Sequence, residues 1–402
     1  MPGKDRNMNK KWIIGLVGLA AVIIIAIAVS YKPATAPALP PADNAQVKEP
    51  VKIGLLFALT GDGAVLGVPQ QRAVIMAQEE INAAGGIDGQ QVEVVAEDAQ
   101  CGDASSGASA AQKLVSVDKV KVIFGGSCSS ETIAAVPITN EAQAVMMSSS
   151  ATNPALSEPN DYFFRTVSSD AGQGKVGAEY AYTALGVRKA AVISEQTDYA
   201  QALAEVFKEN FTAAGGAIAV DEVFQSSDTD VRAQVLKVKA SGAELVYLVT
   251  QTPATTILVL KQIKSQELAV KVLGGEVTLG RELIDQNKEL LAGVMATELY
   301  FDETAGPAAD FLASYETRYG EKVEFPGYIT SMYSQMYLIK AGMEAVGNDA
   351  TKLKDWLSGV KGWKHALGEL TFDENGDRVG EYAIKEVQAD GSLKELSVVK
   401  PQ

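Results

Sequence analysis

Short continuous apolar runs alternate with longer amphipathic stretches from residue 51 onward. VKIGLLFA (51–58) reads as a buried strand, and Val68 to Ala83 follows as a helix with Val74, Ala77 and Ile81 on one face. Gly85, Gly86 and Gly89 mark a turn before a second strand, QVEVVAED (91–98). A helix over about 104–117 precedes the strand VKVIFGG (120–126), and a helix from about Ser130 leads to AVMMSSS (144–150). The rhythm breaks near Asp170 and restarts. Helices at about 171–185, 199–214, 230–241 and 254–265 precede KAAVISE (189–195), IAVDEVF (218–224), ELVYLVT (244–250) and VKVLGGE (270–276), respectively. Residues 306–361 add three mostly helical segments, and 368–387 pattern as short strands. Repeated βα units imply parallel sheet covered by helices. The expected fold class is α/β, with two doubly wound, Rossmann-like lobes and a ligand cleft between them.

One apolar stretch stands outside this rhythm. Trp12 to Val29 runs 18 residues without a charge, behind Lys4, Arg6, Lys10 and Lys11. As a helix it would be roughly 27 Å long, close to the ~30 Å hydrocarbon core. Cleavable signals have shorter apolar regions, about 7–15 residues. Pro33, Pro37, Pro40 and Pro41 crowd the segment where cleavage would occur, and no cysteine lies near for a lipid anchor. Residues 1–31 are therefore expected to form a signal-anchor in preference to a removed signal peptide, tethering an extracytoplasmic protein. Residues 32–50, rich in Pro and Ala, read as an extended stalk.

Composition removes several function classes. The 402 residues carry a net charge of −15, and because the first fifty are net +3 the remainder carries −18. Affinity for nucleic acid comes from phosphate neutralisation by Lys and Arg, so no nucleic-acid partner is expected. One histidine, His365, and two cysteines, Cys101 and Cys128, leave no ligand set for a zinc or iron–sulfur site. Export favours a Cys101–Cys128 disulfide, and two buried thiols are the alternative. A bridge would close a loop of roughly 28 residues, worth about 3.6 kcal/mol by chain entropy.

The strand ends hold the candidate chemistry. ALTGDGAVLG (58–67) has the glycines of a dinucleotide loop but the spacing G-x-G-x-x-x-G, so it fits a cleft-lining loop better. GGSCSSE (125–131) approaches a nucleophile elbow, yet Ser129 stands where glycine is needed, and the only candidate base is His365. Its hydroxyls at a helix start suit a carboxylate instead. SSSATNP (148–154) ends a strand with open backbone groups, the Thr152 hydroxyl and Pro154. Glu276, at the end of VKVLGG, suits a cation. DENGD (373–377) reads as a turn, not a calcium loop. No enzyme activity, cofactor or metal is expected.

Taken in order, INAAGGIDGQQVEVVAEDAQC (81–101), FGGSCSSET (124–132), MMSSSATNP (146–154), FFRTVSSDAGQG (163–174), SEQTDYAQALA (194–204), VLGGE (272–276) and LTFDENGDR (370–378) resemble the leucine/isoleucine/valine-binding proteins. These are type I solute-binding proteins of branched-chain amino-acid ABC transporters. The resemblance spans roughly Val51 to Ser392 and implies two lobes joined by three hinge crossings. It places lobe 1 at about 51–169 plus 299–375 and lobe 2 at 170–298 plus 376–402. The family's disulfide falls on Cys101 and Cys128, its carboxylate-binding serine on Ser129, and its backbone contacts and threonine on Ser150, Ala151 and Thr152. Its tyrosine falls on Tyr199 and its ammonium-binding acid on Glu276.

Two positions depart from the family: Leu66 and Gln251 stand where aromatic residues often line the ligand. That leaves leucine, isoleucine and valine open as ligands and admits a more polar or larger amino acid. Phe325 and Tyr328 would line the mouth. The expectation is a tethered binding protein that captures an amino acid by cleft closure and delivers it to an ABC permease. The alternatives are a binder or sensor for a short amide, urea or an aromatic acid.

Overall fold

The computed structural model describes residues 48–400. The expected signal-anchor (1–31) and most of the stalk lie outside the described residues. No helix among the described residues is long and apolar enough to cross a membrane.

Strands β1 (Val51–Phe57), β2 (Val92–Asp98), β3 (Val122–Gly125), β4 (Val145–Ser148) and β5 (Phe163–Arg165) form the first sheet, in the order β2-β1-β3-β4-β5. Every pair is parallel. Helices α1 (Ala64–Ala83), α2 (Ala104–Ser116) and α3 (Ser129–Glu141) connect the first four strands. A sheet covered on both faces needs apolar residues on both, hence the continuous runs. Ile53, Leu55, Phe124 and Met147 enter one core, with Ala73, Val74 and Ala77 of α1. The alternate residues Leu56, Ile123 and Met146 enter a second, with Ala110, Leu114 and Ala135 of α2 and α3. Each fully buried large side chain contributes roughly 1.5–3 kcal/mol.

The chain then builds a second parallel array. Helices α4 (Asp170–Thr183), α5 (Asp198–Ala213), α6 (Arg232–Ser241) and α7 (Pro253–Ser265) alternate with β6 (Lys189–Glu195), β7 (Ala217–Phe224), β8 (Leu245–Val249) and β9 (Lys271–Gly274). A 3-10 turn at Glu276–Leu279 and two short helices, α8 (Arg281–Gln286) and α9 (Lys288–Leu291), lead to β10 (Met295–Leu299). Helices α10 (Gly306–Tyr319), α11 (Pro326–Val346) and α12 (Ala350–Ser358) then return to the first lobe with a hairpin, β11 (Trp363–His365) and β12 (Gly368–Leu370). Phe311, Met332, Met336, Leu353 and Leu370 join the same core as Ile53. Finally β13 (Tyr382–Val387) and β14 (Leu393–Val399) complete the second sheet, ordered β14-β13-β10-β9-β8-β6-β7. Both β13 pairings are antiparallel.

The chain thus passes between the sheets three times. The crossings are stitched together: Arg165 N–H donates to Gly376 O (3.0 Å), Arg378 N–H to Arg165 O (3.1 Å) and Tyr300 N–H to Glu381 O (2.8 Å).

Some elements differ from the sequence pattern. Helix α1 starts at Ala64, a turn before the expected Val68, and runs through Pro69. Burial of Leu66 against Cys128 and Phe325 holds that extra turn. Strands β5, β11 and β14 carry no periodic signature of their own, being defined by their neighbours in the sheets. His365 stacks between Tyr337 and Trp363 with its Nδ1 3.0 Å from Ser334 Oγ, a packing role in the first lobe.

Candidate functional site

The polar segments singled out in the sequence all sit at C-terminal strand ends, where ligands bind in parallel sheets. From the first lobe come Ser129, the first residue of α3, and Ser150, Ala151 and Thr152 after β4. From the second come Tyr199 in the first turn of α5, Gln251 after β8, and Glu276 after β9.

Ser129 is 1% exposed, and its Oγ accepts from Asn153 N–H at 3.3 Å. The first-turn amides of α3 have no intrahelical acceptor and carry the helix's positive end. Ser150 is engaged within its lobe: its hydroxyl donates to Ser127 O (2.8 Å) and accepts from Gln70 Nε2 (2.7 Å). Ala151 N–H donates to Ser148 Oγ (2.9 Å), and Ala151 O accepts from Arg165 (3.2 Å). The hydroxyl of Thr152 donates to Asp170 Oδ2 (2.8 Å), while Asp170 N–H donates to Thr152 O (2.9 Å).

Glu276 gathers three donors. Gln173 Nε2 (2.6 Å) and Tyr199 OH (2.8 Å) reach Oε2, and Tyr328 OH (2.8 Å) reaches Oε1. A carboxylate offers about four acceptor sites, so one stays open. Tyr328 belongs to α11 of the first lobe, so its bond to Glu276 spans the cleft. Burial raises the hydroxyls of Tyr199 and Tyr328 well above their usual range, helped by the Glu276 charge, so both stay protonated donors.

Asp170 was missed by sequence reasoning, although FFRTVSSDAGQG contains it. It is fully buried, and its Oδ1 has no partner among the described residues. Burial, and then the charge of Glu276, push its carboxyl well above the ordinary range. Two carboxylates converging in a buried site create a demand for a cation.

Arg165, also missed, fixes the loop that carries Thr152. Its guanidinium donates to Ala151 O, to Asn153 O (3.0 Å) and bidentately to Asp377 (2.5 and 2.8 Å). On the other side of Ser129, Cys101 and Cys128 form a disulfide with Cα atoms 5.4 Å apart, which removes the alternative of two thiols. A Cβ on Gly63 would lie 2.2 Å from Cys101 Cβ, so the first loop can approach the bridge only with glycine there. Glu131 accepts from Cys128 N–H (2.5 Å) and Gly102 N–H (3.3 Å), and burial pushes its carboxyl up to about 8.

Leu66 packs on Cys128 and Phe325, with Cys101 and Tyr328 beside them. Gln251 is 8% exposed, its N–H donating to Glu195 Oε2 (2.7 Å). Its side-chain Oε1 is buried without a partner among the described residues.

Two α/β lobes, three crossings and a polar clamp in the cleft are the architecture of a solute-binding protein. A family profile described as periplasmic binding protein matches residues 50–392, and the chain belongs to that family. The chain is 29% identical over 351 residues to an amino acid binding protein of Pseudomonas aeruginosa, covering 86% of this chain and 92% of that one. The isoleucine complex of the branched-chain amino acid transporter substrate-binding protein from Streptococcus pneumoniae superposes with a TM-score of 0.79 at 28% identity, covering 88% and 100%. A solute-binding protein of an ABC transporter from R. palustris, in complex with benzoate, shares the fold at 19% identity, with a TM-score of 0.77 and coverage of 88% and 97%. Membership of this family implies an extracytoplasmic location.

Proposed function

We propose that this chain captures an α-amino acid by closing its two lobes and hands it to an ABC permease. The observation that carries this reading is buried Glu276, across the cleft from Ser129, Thr152 and the α3 amides, together with buried Asp170, which is hydrogen-bonded to Thr152 and keeps one carboxylate oxygen without a partner among the described residues. The negative pair suits an α-ammonium, and the hydroxyls with the helix N-terminus suit an α-carboxylate. A ligand lacking the ammonium leaves the carboxylates uncompensated, which argues against urea, short amides and aromatic acids. Because the two ends belong to different lobes, a zwitterion satisfies both only when they are closed, so binding favours closure. We assign the lobes as 51–169 plus 299–375 and 170–298 plus 376–402. We take residues 12–29 as the membrane tether that keeps the protein beside its permease.

The test is calorimetry of the full-length chain against the twenty amino acids, benzoate and urea. At least one amino acid is expected to bind. The Glu276→Ala variant should lose it by roughly a hundredfold or more, since a charge-assisted contact contributes ~1.5–3 kcal/mol and Gln173, Tyr199 and Tyr328 lose their acceptor as well. Circular dichroism should stay unchanged. Binding of benzoate alone, or unaltered affinity in Glu276→Ala, would overturn the reading.

A further inference from the structure

A cavity of about 190 Å³ opens between the lobes beside the clamp. The first lobe contributes Thr60 and Gln100, and the second contributes Glu195, Thr197, Gln251 and Thr255. It adjoins the clamp through chain neighbours on both sides. Thr197 lines the cavity, Asp198 O receives the cross-cleft bond from Asn153 Nδ2 (2.8 Å), and Tyr199 OH reaches Glu276. On the facing side Cys101 lines the cavity and is bonded to Cys128, which immediately precedes Ser129.

The lining is chemically one-sided. Glu195 is 1% exposed and Asp62 stands at the mouth, while no lysine, arginine or histidine lines the cavity among the described residues. Glu195 Oε2 serves Gln251 N–H and the Thr255 hydroxyl (2.8 Å), which orients the Gln251 backbone and fixes where its side chain starts. The side-chain oxygen of Gln251 is then left buried and unpartnered in a residue that lines the cavity. An unsatisfied buried acceptor is costly until a donor reaches it, and an apolar group there would make the cost permanent.

Resting on the amino-acid reading above, we infer that this cavity is a side-chain subsite for α-amino acids whose side chain ends in a hydrogen-bond donor, an amide or a cation. Gln251 is the specificity-determining acceptor. Acidic side chains are rejected by Glu195 and Asp62, and aliphatic ones leave Gln251 unsatisfied.

Calorimetry of the full-length chain with glutamine, ornithine, norleucine, leucine and glutamate separates the possibilities. Glutamine and ornithine should bind about tenfold or more tighter than norleucine. In Gln251→Leu that preference should shrink to about threefold or less, with norleucine bound at least as well as before. If Gln251→Leu does not fold, Glu195→Gln serves instead and should weaken ornithine relative to glutamine by about tenfold. Leucine or norleucine binding as tightly as glutamine in the wild type, and still lost in Glu276→Ala, overturns the subsite while the amino-acid reading stands. An unchanged preference in the variants overturns it too. Failure of every α-amino acid to bind overturns both.

Discussion

Arg165 is wholly buried, and its side chain bonds to Ala151 O, Asn153 O and Ser157 Oγ around the Thr152 loop and to Asp377 at the third crossing. Removing one partner of such a pair leaves an uncompensated buried charge, costing about 3–5 kcal/mol. Arg165→Met should therefore lower the unfolding free energy by that order and weaken ligand binding through the loosened loop, while adding Asp377→Leu restores part of the stability but not the affinity. Denaturant titration and calorimetry on both variants check this. Glu131 gives a pH effect of defined sign. Its native carboxyl, raised to about 8, binds a proton that the unfolded chain, near 4.5, has released. Stability from this group is present below pH 4.5 and is lost as pH rises toward 8, by up to about 1.4 kcal/mol per pH unit. Thermal melts across that window should fall more steeply for wild type than for Glu131→Gln.

Among elements, the disulfide ties the loop after β2 to the start of α3, which carries Ser129. Replacing both cysteines by serine should cost about 3.6 kcal/mol, measurable as a lowered melting temperature that added reductant no longer changes. The βα units themselves were legible because buried parallel strands must be apolar on both faces, as VKIGLLF and LVYLV are. The three-residue β5 was not, since only pairing with β4 makes it a strand. The hydroxyl-bearing turns at Ser129 and Thr152 and Glu276 could be found from their strand-end positions. Of the partners of Glu276, Tyr199 and Tyr328 were singled out through the resemblance, but their bonds to it were not, and Gln173, 103 residues away in sequence, was missed. Asp170 sat in what read as a break between lobes, where its burial left no periodic trace.

At the scale of the molecule, the two lobes meet across the cleft through Asn153 and Asp198 and through Tyr328 and Glu276. If ligand binding draws on a closed population, Asn153→Ala should weaken all ligands by about three- to tenfold while leaving their relative affinities alone. Small-angle scattering should record a smaller radius of gyration with ligand than without. The order in which the sheets are assembled has a separate consequence. The first core needs residues 306–372 and the second sheet needs β13 and β14, so neither lobe is complete until almost the whole chain has appeared. Until then β10 presents an open edge to whatever strand is near. Long-range pairings of this kind form slowly. A chain delivered across a membrane from its N-terminal end therefore spends its passage as an incomplete assembly. Its vulnerability to proteases and to neighbouring copies is set by the last stretch to arrive rather than by the first to fold.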